Sequence, residues 1–446
     1  MRTGFVGSCV VGEGVRQRSR VVCSASEDAS VALSRRELLK SAAAGIAAAV
    51  AAGSALPDSA IAADVSSIPK GKWSRVNLPF EGTLFGKLYF AGTILGLPSH
   101  PLVPSDELGC SNPYYVLFVH LGKELTIAFY LSDLSFIPQE PSHGWLIGTK
   151  GSVFETIDYG QTWMPRSFQN LDPEEEINYR FQEISFNGSE GWVIGKPSIL
   201  LHTRDGGKSW ERVSLSPKLP GDPCSITALG RESAEMTTTA GAVYVTTNSG
   251  LNWKAQVKET IDATLNRTVS SGVTGASYFT GSIISVLRDS LGAYIAVSSR
   301  GNFYLTWKPG QEFWVPHGRD SSKRIQGMGF VNDDVNKGIW MSLRGGDLVF
   351  SEPNPDILKG ELDFKKVNLK SGGYGILDVA FRPGTDEVWA SVGGGQLFVS
   401  YDGGKTWSFD KQLGKVGALL YKIIFVSKDV GFALGANGVL LRYSAA

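Results

Sequence analysis

Four copies of one pattern constrain this chain more than any other feature: Thr156-Ile157-Asp158-Tyr159-Gly160-Gln161-Thr162-Trp163, Thr203-Arg204-Asp205-Gly206-Gly207-Lys208-Ser209-Trp210, Thr246-Thr247-Asn248-Ser249-Gly250-Leu251-Asn252-Trp253 and Ser400-Tyr401-Asp402-Gly403-Gly404-Lys405-Thr406-Trp407. Each reads Ser/Thr-x-Asp/Asn-x-Gly-x-x-Trp. An Asp or Asn accepts hydrogen bonds from backbone N–H groups one and two residues on, Gly supplies the positive φ of a tight turn, and the Trp opens the next strand as an apolar anchor. Each copy therefore predicts a hairpin turn.

The pattern resembles the Asp-box repeat of sialidase-like β-propellers, where it joins the two outermost strands of a blade. At 446 residues the chain suits one large closed repeat fold, and its 53 glycines punctuate short apolar runs. From Leu131 onward those runs recur every roughly 43–55 residues, the spacing of a propeller. The first unit has Leu134-Ser135-Phe136, Gly144-Trp145-Leu146-Ile147-Gly148, Val153-Phe154-Glu155-Thr156 and Trp163, and the second repeats it through Ile184, Gly191-Trp192, Ile199 and Trp210. Units four and five, reaching Trp314 and Phe364, keep the rhythm without the Asp box. The last unit stops one strand short after Val439-Leu440-Leu441-Arg442-Tyr443, and the missing strand occurs at Lys72-Trp73-Ser74-Arg75-Val76. The expectation is an all-β, seven-bladed propeller of four-stranded blades whose last blade is closed by the N-terminal strand, leaving no free sheet edge.

Two stretches stand apart from the repeat. Residues 1–30 carry Arg2, Arg16, Arg18 and Arg20 with many small residues, a composition resembling an organelle transit peptide. Arg35-Arg36 then precede a small apolar run from Ser41 to Ala55 and the Ala60-Ile61-Ala62 site, which resembles a twin-arginine export signal. Residues 1–62 thus read as a bipartite signal for chloroplast import and passage into the thylakoid lumen, and the propeller as residues 63–446. The second stretch, about residues 82–130, is an irregular insertion without blade rhythm; a loop so long is functional, irregular, or not native coding sequence.

Several segments together resemble the photosystem II stability/assembly factor family of chloroplasts and cyanobacteria: the export signal, the Asp-box blades, Leu265-Asn266-Arg267-Thr268-Val269-Ser270-Ser271-Gly272-Val273-Thr274-Gly275-Ala276-Ser277-Tyr278, Asn178-Tyr179-Arg180-Phe181 and Ser298-Ser299-Arg300-Gly301-Asn302-Phe303. The resemblance covers residues 64–82 and 131–446. It implies a non-catalytic, chaperone-like lumenal propeller without a cofactor. Such a protein binds newly made photosystem II reaction-centre core proteins, promotes early assembly, and meets the membrane only through those partners.

Charge refines where a partner would sit. The 43 basic and 43 acidic residues balance, so no overall field draws nucleic acid or anionic lipid, and recognition must come from local patches. In a four-stranded blade, the hairpins between second and third strands share a face with the blade-to-blade connections, and the Asp-box turns lie on the other. The first face is expected to gather Lys150, Lys196, Arg300 and Arg344 from hairpins, and Arg180, Arg267, Arg319, Lys323 and Arg324 from connections. Ala240, Gly394 and Ala436 occupy the matching hairpins of units three, six and seven, and Asp172-Glu174-Glu175-Glu176 add acid, so the patch is lopsided. Two other classes compete. A sialidase-like glycosidase on the same fold needs a carboxylate pair or a Tyr nucleophile, and none can be singled out; a scaffold for pigment or lipid would announce itself by visible absorbance. The Asp-box acids read as turn formers and the repeated Trp residues as core. His100, His120, His143, His202 and His317 show no ligand spacing for a metal, and Cys110 and Cys224 form no disulfide framework.

Overall fold

In a computed structural model, residues 73–79, 130–270, 283–319, 321–353 and 362–445 are described. The twin-arginine pair Arg35-Arg36, the transit region and nearly all of the expected insertion lie outside them. Within the described residues the strands form seven four-stranded antiparallel sheets, each made of consecutive strands except the last. The first blade, for example, holds Leu131–Ile137, Glu140–Gly148, Val153–Thr156 and Met164–Pro165 from the axis outward. The seventh runs Leu420–Phe425, Val430–Gly435 and Leu440–Ser444, then takes Trp73–Val76 as its outer strand, with Trp73 opposite Tyr443 and Val76 opposite Leu440. The expected closure by the N-terminal strand is therefore present, and Trp73 packs between Trp389 and Tyr443 at 5.4 and 5.3 Å between ring centroids.

The core lies between blades. One cluster joins Leu134, Phe136, Leu146 and Trp163 of the first blade to Phe432, Leu434 and Leu440 of the seventh, and another joins Trp145 and Ile147 of the first to Phe181, Val193 and Trp210 of the second. The Gly-Trp/Phe pattern of the second strands follows from this packing. A Cβ on Gly191 would lie 2.3 Å from the Phe186 ring, and one on Gly144 2.8 Å from the Phe136 ring, so glycine there makes room for the inner-strand phenylalanine. The following Trp145 then reaches over the next blade's Asp-box turn, donating its indole N–H to the Gly206 carbonyl at 3.1 Å.

The Asp-box turns differ in detail from the sequence expectation. The Asp158 carboxylate accepts from the N–H groups of Gln161 and Thr162, both at 2.9 Å, so its partners lie three and four residues on rather than one and two. Asp402 repeats this with Lys405 and Thr406 at 3.0 and 2.8 Å. The reason is the hydroxyl at the start of the box: Thr156 Oγ1 donates to Asp158 at 2.8 Å and accepts the Gly160 N–H at 3.0 Å, turning the carboxylate toward the far side of the loop. The Trp also stands just before the outer strand instead of opening it; Trp163 precedes Met164–Pro165, where its indole N–H caps the Gly160 carbonyl at 3.2 Å.

Every inner strand carries a β-bulge at the same height, between residue pairs Leu131/Asp133, Phe181/Glu183, Pro223/Ser225, Ile283/Ser285, Ile325/Gly327, Ile376/Asp378 and Leu420/Lys422. A bulge re-aims the following side chain. Asp133 thereby accepts the Ile184 N–H of the next blade at 3.1 Å, Glu183 the Ile226 N–H at 2.8 Å and Asp378 the Ile423 N–H at 2.7 Å, while Lys422 returns to Asp133 at 2.7 Å. These groups staple neighbouring blades about the axis.

Candidate partner-binding face

Because strands alternate direction, the second-to-third strand hairpins and the connections emerge together. Their backbones confirm it: Gly151 N–H meets the Tyr179 carbonyl at 3.0 Å, Ile325 the Gly301 carbonyl at 2.8 Å, Val416 the Gly395 carbonyl at 2.8 Å and Ala436 the Leu419 carbonyl at 2.9 Å. The first-, fourth- and sixth-blade hairpins thus bind the stretch leading into the next blade, while Ala436 bonds the entry to its own blade and bridges to Tyr130 at the entry to the first.

This lacing sorts the basic residues into two groups. Thr149 bridges to Arg180, which pairs with Lys196 across the second blade, so Lys150, Arg180 and Lys196 are neighbours. Arg344 donates its backbone N–H to the Arg324 carbonyl at 2.8 Å, and Arg324 precedes Ile325, whose N–H is held by Gly301, so Arg300, Arg324 and Arg344 form the second group. Arg319 joins it, following the Gly318 that pairs with Phe303. Arg180, Arg300, Arg324 and Arg344 are exposed and make no ion pair with any described residue. Lys196 is held by Asp222 at 3.8 Å, and Lys323 is bound by Asp347. Arg267 falls on a helix absent from the sequence reading, Ile261–Ser270, whose Ile261 and Leu265 pack beneath Trp314; its side chain lies outside the described residues.

The acidic stretch is only partly withdrawn from solvent, with Asp172 and Glu174 exposed and Glu176 buried. Asp172 caps a short helix, Pro173–Glu176, through the Glu174 N–H at 2.8 Å. Glu176 is buried and accepts the Phe168 N–H, and burial pushes its carboxyl up to about 7. Glu175 is held below the usual carboxylate range by the Tyr179 hydroxyl at 2.6 Å, with Arg212 beside it at 3.1 Å.

Two features escaped the sequence reading. One is the axial ring, in which burial and the Asp133 charge push Glu183 up to about 7, and burial pushes Asp378 up to about 6. Burial alone would lower Lys422, but the surrounding carboxylates raise it. Its signal was available as a charge recurring at one height of otherwise apolar inner strands. The other is a set of exposed apolar side chains, Tyr130, Tyr374, Leu377 and Leu419, where the sixth and seventh blades meet the first. The histidines are structural: His143 pairs with Glu155 at 2.8 Å, His202 with Glu190 at 2.5 Å, and half-buried His317, lowered to about 4 by desolvation, bonds Thr306 at 2.7 Å. His100, His120 and Cys110 lie outside the described residues, and Cys224 is a free thiol pushed up to about 12 by burial. Among the described residues no group of three or more His, Cys, Asp or Glu is placed to hold a metal.

Ring closure and Asp-box turns define a seven-bladed Asp-box β-propeller, with basic side chains exposed on its connection face. The chain belongs to the photosystem II stability/assembly factor family: residues 120–444 match the family model described as "Photosynthesis system II assembly factor YCF48". A chloroplastic photosystem II stability/assembly factor from Cyanidioschyzon merolae is 60% identical over 314 residues, covering 70% of this chain and 72% of the relative. The solved structure of YCF48 from Cyanidioschyzon merolae is 56% identical, with a TM-score of 0.67, covering 71% of this chain and 95% of that one. A second, of YCF48 bound to D1 peptide, is 43% identical with a TM-score of 0.60, covering 71% of this chain and 94% of that one. The relatives named chloroplastic place this chain in the chloroplast as well, and they are named as assembly factors rather than enzymes.

Proposed function

We propose that this chain binds newly made reaction-centre core proteins of photosystem II through its basic connection face and promotes early assembly, without catalysis, from the thylakoid lumen. The observation that carries the reading is the exposure, on one face, of Arg180, Arg300, Arg324 and Arg344 without ion-pair partners among the described residues. Guanidinium groups side by side repel one another, and an acidic segment relieves that repulsion with bidentate contacts. A relative at 43% identity is known with a D1 peptide bound, which supports a reaction-centre subunit as the partner. Residues 1–62 act as the bipartite signal, with Arg35-Arg36 read by the export machinery and the mature chain starting near Ala63 or Asp64. Membrane association is then peripheral and runs through the partner.

The test is capture of newly synthesised thylakoid proteins on the mature chain, with and without charge reversal at Arg180, Arg267, Arg300 and Arg344. Early photosystem II core proteins are expected on the wild-type chain and lost from the reversed one while its unfolding midpoint holds. Unchanged capture by the reversed chain would place the site elsewhere, and no capture by either would remove the binding reading altogether.

A further inference from the structure

The connection face is chemically divided. Blades one, two, four and five bring basic residues to it, but at the matching hairpins the sixth and seventh blades have Gly394 and Ala436. Over this low ground lies an apolar arc. Tyr374 covers the sixth-blade hairpin, its ring 3.8 Å from where a Cβ on Gly394 would stand, and Gly393 N–H meets the Gly375 carbonyl at 2.8 Å. Leu377 follows on the sixth blade's inner strand, Ile376–Phe381, which is tied to the seventh blade through Asp378 and the Ile423 N–H. Leu419 accepts the Ala436 N–H, and Tyr130 bridges to Ala436 and stands 6.1 Å from the Tyr421 ring. Tyr130, Tyr374, Leu377 and Leu419 are 46, 52, 37 and 49% exposed. Apolar side chains grouped on one exposed surface mark an interaction site more often than singletons do.

The axis beside the arc is open. Where Asp133, Glu183, Asp378 and Lys422 fill the ring of bulges, the fifth blade has only Gly327, and a cavity of about 1110 Å³ runs along the inner strands of blades four to seven. Leu377, Tyr421, Gln326 and Gly327 line it.

We propose that this arc, with the cavity that its Leu377 also lines, is a second subsite that takes a bulky apolar side chain of the same peptide segment whose carboxylates the arginine groups hold. The inference rests on the function proposed above and defines its ligand further: an extended segment in which acidic residues flank an aromatic or long aliphatic one. Arginines set orientation and long-range attraction, whereas a buried anchor in a pocket supplies dissociation-limiting contact. The arc is continuous with the basic groups, since Ala436 adjoins Tyr130 of the first blade, whose hairpin carries Lys150 beside Arg180.

The probes are two synthetic peptides of alternating Glu and Ser, one with a central Phe and one with Ala in its place. Fluorescence anisotropy is read on the mature wild-type chain, on Tyr374→Ser/Leu377→Ser/Leu419→Ser, and on Arg300→Glu/Arg344→Glu. The wild-type chain is expected to prefer the Phe peptide by about tenfold. The apolar triple variant loses that preference while keeping the salt dependence, and the arginine variant weakens both peptides alike. A wild-type chain indifferent to Phe, or a triple variant that retains the preference, overturns the subsite. If the arginine variant binds both peptides as the wild type does, the function proposed above fails instead. A triple variant whose one change is reduced self-association in sedimentation overturns the proposal in favour of a contact between copies of this chain.

Discussion

Substituting Gly207 by Ala isolates what docks one blade on the next. Gly207 has φ +92°, and a Cβ there would stand 2.4 Å from the Trp145 indole of the preceding blade. That indole cannot swing clear, because its N–H is held by Gly206 and its edge meets Trp210 at 6.0 Å. Gly403, in the sixth-blade Asp box, has φ +71° and nothing within 4 Å of the same virtual atom. The positive φ costs a side chain about 1–2 kcal/mol at either position. At Gly207 overpacking adds about 1–3 kcal/mol, and the disturbed indole hydrogen bond about 1 kcal/mol. Gly207→Ala is thus expected to destabilise by about 3–6 kcal/mol, against about 1–2 kcal/mol for Gly403→Ala. Urea unfolding followed by tryptophan fluorescence measures both, with equal m-values checking that one transition is compared. Equal losses in the two variants would refute the claim that interlocking of Asp-box turn and second-strand Trp, rather than turn geometry, holds the blades together.

Two further outcomes follow from the closure and the axial ring. Trp73→Ala empties the site between Trp389 and Tyr443, and by the cost of removing a buried Trp should destabilise by about 3–5 kcal/mol and make the seventh blade the first point of limited proteolysis; a loss below about 1 kcal/mol would mean that the ring does not depend on its N-terminal strand. Glu183 and Asp378 have folded-state values raised to about 7 and about 6, above those of an unfolded chain, so the stability they contribute is complete in acid and lost as pH rises through 6–7. The unfolding midpoint should therefore climb from about pH 8 to about pH 5, and Glu183→Gln should flatten the rise; an unchanged slope in that variant would assign the pH dependence to other groups. Asp158, Asp205 and Asp402 are shifted the opposite way, Asp402 chiefly by the Thr406 hydroxyl, so their contribution is intact above the unfolded carboxylate range and fails below it.

Much of the fold was legible in the sequence because a propeller blade is a local object. Its strands are consecutive, its turns carry their own chemistry, and Thr-x-Asp-x-Gly with a following Trp encodes a hairpin from residues that are near neighbours in the chain. Even the closure was readable, since a strand missing from the end and one spare at the start are complementary facts. Local logic also placed Arg180, Arg300, Arg324 and Arg344 on one face, because that follows from counting strand reversals. It failed within the Asp box, where the carboxylate's partners depend on how Thr156 Oγ1 competes for the same loop. It also missed the helix Ile261–Ser270, whose apolar positions Ile261 and Leu265 acquire meaning only against Trp314 of the next blade.

What the sequence alone determined is the number of blades, the seam that closes them and which residues reach the connection face, all set by order along the chain. The ring itself decided the rest. Bulges at one height point Asp133, Glu183 and Asp378 at backbone N–H groups 43 to 51 residues away and Lys422 at the Asp133 carboxylate 289 residues away, and Gly327 leaves that circle open on one side. The same closure sets Tyr130 beside Ala436 and gathers an apolar arc from three blades. Neighbours across a closed ring are fixed by curvature and register, which no single repeat contains, so surfaces shared between blades become visible only once the circle is complete.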